Sequence, residues 1–166
     1  FIYSIIYVLM DFKKNILKPI LLKIFFLKRM PLGFFAGLKV VQFDDQMAIV
    51  SLPFNTITKN PFRSVYFGAQ AMAAELSTGV LAMNAVQSSN QNISMLVFAM
   101  EASFAKKAIS KIHFQCNQAV EINTAVQGCI ESGEGVTLKV KSVGTDQNGD
   151  VVSEFYFTWT FKLKTK

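Results

Sequence analysis

Between Ser64 and Ala105 the chain carries no Lys or Arg, and its only carboxylates are Glu75 and Glu101. Glu75 stands in the middle of "GAQAMAAELSTG", a run of small and apolar residues. A carboxyl group buried among such neighbours is pushed towards neutral pKa, where it can take a proton from water. Unpaired buried carboxylates are rare unless they serve a function. The chemistry to expect is therefore general-base activation of water. The competing reading is a Glu hydrogen-bonded to backbone at a dimer interface.

Other chemistries lack their residues. His113 is the single histidine, which argues against a Ser-His-Asp triad and a histidine-based metal site. Cys116 and Cys129 have no CxxC spacing, so neither a zinc site nor a disulfide framework is expected. Reduced thiols and a cytoplasmic location are expected instead. Walker, GxGxxG and GxSxG motifs are absent. No metal and no cofactor is expected.

Charge narrows the partners. The net charge is +6, but residues 1–38 hold six basic residues against one acid, a net +5. The remainder holds 11 basic and 10 acidic residues, a net +1. A nearly neutral body offers no spread of cations for a nucleic-acid groove, so no nucleic-acid partner is expected. Residues 1–9 are apolar without following the pattern of a signal peptide, and are too short to span a bilayer. In residues 12–29, Ile16, Ile20, Ile24 and Leu27 recur at helical spacing with lysines between them. This predicts a basic amphipathic helix, with Pro19 in its first turn or at a kink. Packing on the protein's own dimer and peripheral contact with a membrane both suit such a helix.

The positioning elements follow from periodicity. Strands are expected at 38–44 and 47–53, joined through Asp44-Asp45-Gln46. Asn60-Pro61 disfavours helix before it. From Ser64 to about Ala85 the spacing of Val65, Ala69, Met72, Leu76, Val80 and Met83 predicts one long helix, apolar all round and so buried on all sides. Strands are expected at 93–105, 109–117, 120–132, 135–144 and 151–164, with a hairpin turn at Asn148-Gly149. In the last, Phe155, Phe157, Trp159, Phe161 and Leu163 share one face and polar residues the other, the pattern of an antiparallel sheet with one core face. The expected fold is α+β, the hotdog arrangement: a curled antiparallel sheet around one long central helix, with an extra N-terminal amphipathic helix. Residues 1–37 form the arm and 38–166 the hotdog domain.

Residues 38–164 resemble the hotdog-fold acyl-CoA thioesterases of the phenylacetyl-CoA thioesterase type. The nearest likeness is to an uncharacterised branch carrying Asn60, Pro61, Phe62, Tyr66, Gly68, Ala69, Glu75 and Gly79 at this spacing. Active members carry Asn-x-x-Gly-x-x-His-Gly-Gly and an acid seven residues later. Here Asn60, Gly68 and Glu75 keep their places, while Arg63 replaces a Gly, Tyr66 the His and Phe67 the first Gly.

The resemblance implies roles. The Gly68 amide, at the helix N-terminus, would polarise the thioester carbonyl. Glu75, roughly 10 Å along the helix at 1.5 Å per residue, would activate water in a site shared across a dimer interface, where the acid faces a glycine from the partner subunit. Asn60 would hold the loop or orient water, and Tyr66 would donate its hydroxyl in place of imidazole. Phe67, Ser77 and Thr78 would line the substrate or position water, and Lys106 and Lys107 would meet the CoA phosphates or form a plain solvated turn. The implied partners are an acyl-CoA or related thioester and a second copy, as homodimer or dimer of dimers. A non-catalytic acyl-CoA or fatty-acyl binding protein on the same fold is the alternative.

Overall fold

The computed structural model describes residues 16–164; residues 12–15 of the expected basic helix lie outside that range. Helix α1, Pro19–Arg29, opens with Pro19 in its first turn, where the missing N–H costs nothing. Helix α2, Pro31–Ala36, follows at once and ends on Gly37, whose φ of 75° closes it in the left-handed conformation. The pairing of Pro31 at the start with Gly37 at the end is the sequence signal for this unexpected short helix.

Strands β1, Lys39–Phe43, and β2, Ala48–Leu52, form the expected hairpin, its turn held by Asp44 Oδ1 accepting the N–H groups of Gln46 and Met47. Helix α3, Phe67–Ser88, is the long central helix. After it come β3, Ile93–Phe104, β4, Ile112–Cys116, helix α4, Ala119–Ser132, β5, Val136–Thr145, and β6, Val151–Leu163. The six strands make one antiparallel sheet in the order β1-β2-β4-β5-β6-β3. The sheet curls over α3 in the hotdog arrangement. Phe155, Phe157, Trp159 and Phe161 of β6 are all buried, as their alternation requires. Gly149, with φ 86°, makes the turn between β5 and β6.

One expectation is corrected: residues 120–132 are helix, not strand. Val120, Ile122, Thr124 and Val126 alternate as in a strand, but burial follows Ala119, Ile122, Ala125, Val126 and Cys129, a helical stripe. The small members of that stripe let α4 approach α3 and the sheet closely. Asn123, Thr124 and Ser132 bond back to the carbonyls of Ala119, Val120 and Gly128, and Gly133 closes the helix with φ 74°. The central helix is therefore covered by a helix as well as by sheet.

Leu22 and Phe26 of α1 join the same buried core as β1, β2 and α3. No helix among the described residues is long and apolar enough to cross a membrane.

Candidate active site at the start of the central helix

The loop leading into α3 is built by two asparagines. Asn55 Oδ1 accepts the N–H groups of Ile57 and Thr58. Asn60 Oδ1 accepts from the N–H groups of Phe62 and Ser64 and from the Ser64 hydroxyl, at 3.0, 3.1 and 3.1 Å. Arg63 has φ 58°, in the left-handed region, at the position where active members of the resembled family carry Gly. With its carboxamide oxygen spent on this turn, Asn60 folds the loop.

The loop delivers the chain to α3 along fixed contacts: Val65 N–H donates to Ala108 O at 2.8 Å and Tyr66 N–H to Thr58 O at 2.7 Å. No side chain caps α3, and no acid lies in its first turn. Its leading N–H groups lack intrahelical partners and carry the positive end of the helix dipole. Gly68 lies in this turn. A Cβ there would meet Tyr66 Cε1 at 2.5 Å, so only glycine lets the Tyr66 ring fold across the helix start. That ring also packs on Phe67, centroids 4.8 Å apart.

Tyr66, Gly68 and Glu75 line one cavity of about 870 Å³, a size suited to an organic ligand. Its walls are almost wholly apolar: Leu32 and Phe35 from α2, Met72 from α3, Val97 and Met100 from β3, Phe157 from β6. Gly68, Ala71, Met72 and Glu75 share this side because residues three, four and seven apart stack on one helix face. Burial alone raises the Glu75 carboxyl above its ordinary 4.5. Among the described residues none hydrogen-bonds to that carboxylate. A partly buried carboxylate lining the same cavity as the helix-start amides can accept a proton from water while the amides hold a carbonyl oxygen.

The other expected site residues separate from this group. Asn60, Phe67, Lys106 and Lys107 line a second cavity of about 350 Å³, with Gln70 and Phe104. The Lys106 ammonium is held by Asp146, at 2.9 Å, and by Asp150; that pairing raises the lysine and lowers the Asp146 carboxyl from their ordinary values. Ser77 and Thr78 do not reach the cavity. The Ser77 hydroxyl meets the Ser142 hydroxyl at 2.7 Å and donates to Ala74 O, and Thr78 Oγ1 accepts from Trp159 Nε1 at 3.0 Å. Both are fully buried and spent on core packing rather than on water beside Glu75. The cavity walls from α2 and β3 were not among the expected residues; the Met72 spacing from Glu75 is the signal that could have extended the list.

A family model described as a domain of unknown function, DUF4442, matches residues 20–161. The chain belongs to the DUF4442 family. No curated protein matches it in sequence. Among solved structures, a protein of unknown function from Pseudomonas aeruginosa, described as a probable thioesterase, superposes with TM-score 0.74 at 21% identity, covering 88% of this chain and 97% of its own. A protein of unknown function from Chlorobaculum tepidum gives TM-score 0.74 at 15% identity, covering 90% and 98%. A thioesterase from Haemophilus influenzae gives 0.63 at 11%, covering 84% and 88%. At these identities the likeness fixes the fold alone, the hotdog fold, which this DUF4442 chain shares.

Proposed function

We propose that the chain hydrolyses an acyl-CoA or related thioester with water activated by Glu75. The acyl group lies in the apolar cavity, and its carbonyl oxygen accepts from the Gly68 amide at the start of α3. Glu75 takes a proton from a water whose oxygen attacks the carbonyl carbon, and the C–O bond forms as the oxyanion develops on the amides. Collapse of that intermediate breaks the C–S bond; the thiolate takes the proton held by Glu75, which restores the carboxylate and leaves a carboxylic acid and a free thiol. The observation that carries this reading is the Glu75 carboxylate, partly buried and unbonded by any described residue, in the same cavity as the uncapped helix start.

A second copy would complete the site. Strand β3 is the sheet's last strand, and its Leu96, Phe98, Met100 and Phe104 are exposed, Phe98 at 73%. A long apolar edge strand left open is an aggregation hazard unless a partner covers it. Val97 and Met100 of this strand also wall the Glu75 cavity, so pairing along β3 would bring partner residues to its mouth.

One observation favours a non-catalytic acyl-binding role on the same fold: the Tyr66 ring stands where active members of the resembled family carry imidazole. The two readings separate in one experiment. Thiol release from a panel of acyl-CoAs is measured alongside their binding, with Glu75→Gln as control. Hydrolysis that falls on the order of 10²–10⁴-fold in the variant, the usual contribution of a general base, supports the hydrolase. Tight binding without release of thiol by the unmodified chain supports the carrier, and turnover equal in both forms removes Glu75 from the chemistry.

A further inference from the structure

Helix α1 has two apolar faces. Leu22 and Phe26 are buried in the core, whereas Leu17, Ile20, Ile24 and Leu27 are exposed, Ile20 at 73%. At about 100° per residue Ile20, Ile24 and Leu27 fall in one stripe, with Lys23 along one border and Lys28 along the other, and Leu17 lies just before the helix. Helix α2, next in the chain, also exposes apolar side chains, Leu32 at 75% and Phe35. Leu32 and Phe35 are at the same time walls of the Glu75 cavity. The cavity wall thus reaches the protein surface at α2. From Phe12 to Phe43 the sequence contains seven Lys and Arg residues and no Asp or Glu.

We propose that the α1–α2 face seats on an anionic lipid surface and that the cavity takes its acyl chain from there. An exposed apolar stripe bordered by lysines is the form of a helix lying in the membrane interface, its aliphatic side chains among the acyl tails and its ammonium groups at the headgroups. Anionic lipid matches a segment with cations and no acids. A second copy on this face fits less well, since a two-fold contact would set lysine row against lysine row. The substrate class that follows is a long-chain acyl thioester partitioned into the membrane, reaching Glu75 past Leu32 and Phe35. This last step rests on the thioesterase reading; the docking step does not.

Two measurements on the full chain keep these apart. Co-sedimentation with phosphatidylcholine vesicles is compared with the same vesicles doped with phosphatidylglycerol. The unmodified chain is expected to bind the doped vesicles, less so as salt rises. Ile24→Glu/Leu27→Glu is expected to abolish binding, and Lys18→Gln/Lys23→Gln/Lys28→Gln to weaken it on the order of a hundredfold, roughly fivefold per lysine near the surface. In the second measurement, Ile24→Glu/Leu27→Glu is expected to slow hydrolysis of a vesicle-bound long-chain acyl-CoA while a short, soluble acyl-CoA is turned over as before. Absence of binding by the unmodified chain, as when residues 1–15 or another protein segment cover the stripe, overturns the docking. So does a shift of the double variant from dimer to monomer in sedimentation velocity without any change at vesicles, which assigns the stripe to self-association. Vesicle binding with no hydrolysis of either substrate keeps the docking and refutes the enzyme.

Discussion

Gly68→Ala tests whether Tyr66 and the helix start act as one unit. The new Cβ would lie 2.5 Å from Tyr66 Cε1 and 3.2 Å from Cδ1 and Cζ. Favourable carbon contact begins at about 3.5 Å, so the ring must move by about 1 Å. Tyr66 is 46% exposed, so it can swing towards solvent without disturbing the core. Holding the ring off its preferred rotamer costs about 0.5–1.5 kcal/mol, and loosening its contact with Phe67 about 0.5–1 kcal/mol more. Alanine in place of glycine within a helix returns about 0.5–1 kcal/mol. The net loss should be about 1 kcal/mol, a fall in Tm of about 2–4 °C for a chain of this size. The chemistry should suffer far more, because a 1 Å misplacement at a reacting centre can cost on the order of 10²-fold in rate. Melting followed by circular dichroism gives the first quantity and thiol release from acyl-CoA the second. In Tyr66→Ala/Gly68→Ala the clash is gone, so its stability should equal or exceed that of Tyr66→Ala alone. Full turnover by Gly68→Ala would refute the assignment of this turn to the site. A Tm fall several times larger than stated would show that the ring is locked into the fold instead of lying loosely over it.

Three further outcomes are expected. Burial holds the Glu75 carboxyl above 4.5, so the native chain keeps a proton that the unfolded chain has already released; stability contributed by that proton is present at low pH and is lost as pH rises from about 4.5 through the folded value. Glu75→Gln should therefore melt with the parent well below pH 4.5 and above it at pH 8, measured as Tm across pH; identical profiles would place the carboxylate in water. Trp159→Phe removes the donor to Thr78 Oγ1 and leaves a small void beside Gly79, which together should cost about 2–3 kcal/mol in urea titration. The thiols of Cys116 and Cys129 are buried, and burial pushes Cys116 up to about 11; a thiol reagent at pH 8 should label neither in the native chain and both in denaturant.

Elements whose period admits a single solution were legible in the sequence, and elements with two solutions were not. Strand β6 alternates Phe155, Phe157, Trp159 and Phe161 with polar residues, which no helix can satisfy, and Asn148-Gly149 fixes its hairpin. In α4, by contrast, Ile122 and Val126 are four apart, so they share a face in a strand and in a helix alike. Tertiary contact with α3 decided between the two through the small residues Ala119, Ala125 and Cys129. Helix α2 is six residues long, too short for any period to emerge.

The same distinction governs the site. Tyr66, Gly68 and Glu75 line one cavity because Gly68 and Glu75 share a face of α3 and Tyr66 directly precedes it, a placement that local spacing alone predicts. Ser77 and Thr78 are near Glu75 in sequence, but at about 100° per residue they lie roughly 200° and 300° round the helix from it, facing Ser142 of β5 and Trp159 of β6. Nearness in sequence was the wrong measure on a helix; a step of three or four residues points to Met72 and Ala71 instead, both of which line the cavity. The remaining walls come from Arg29 at the end of α1, from α2, from the loop at Ile57 and Thr58, and from β3 and β6, which only the fold brings together. That division has a functional consequence. The groups suited to chemistry are held by the rigid central helix. The walls that would select a substrate come from α2, half of whose residues are exposed, and from β3, one of the two edge strands of the sheet. Substitutions on α3 should therefore change how fast a bound thioester reacts, and substitutions at Leu32, Phe35, Val97 or Met100 should change which acyl chains enter.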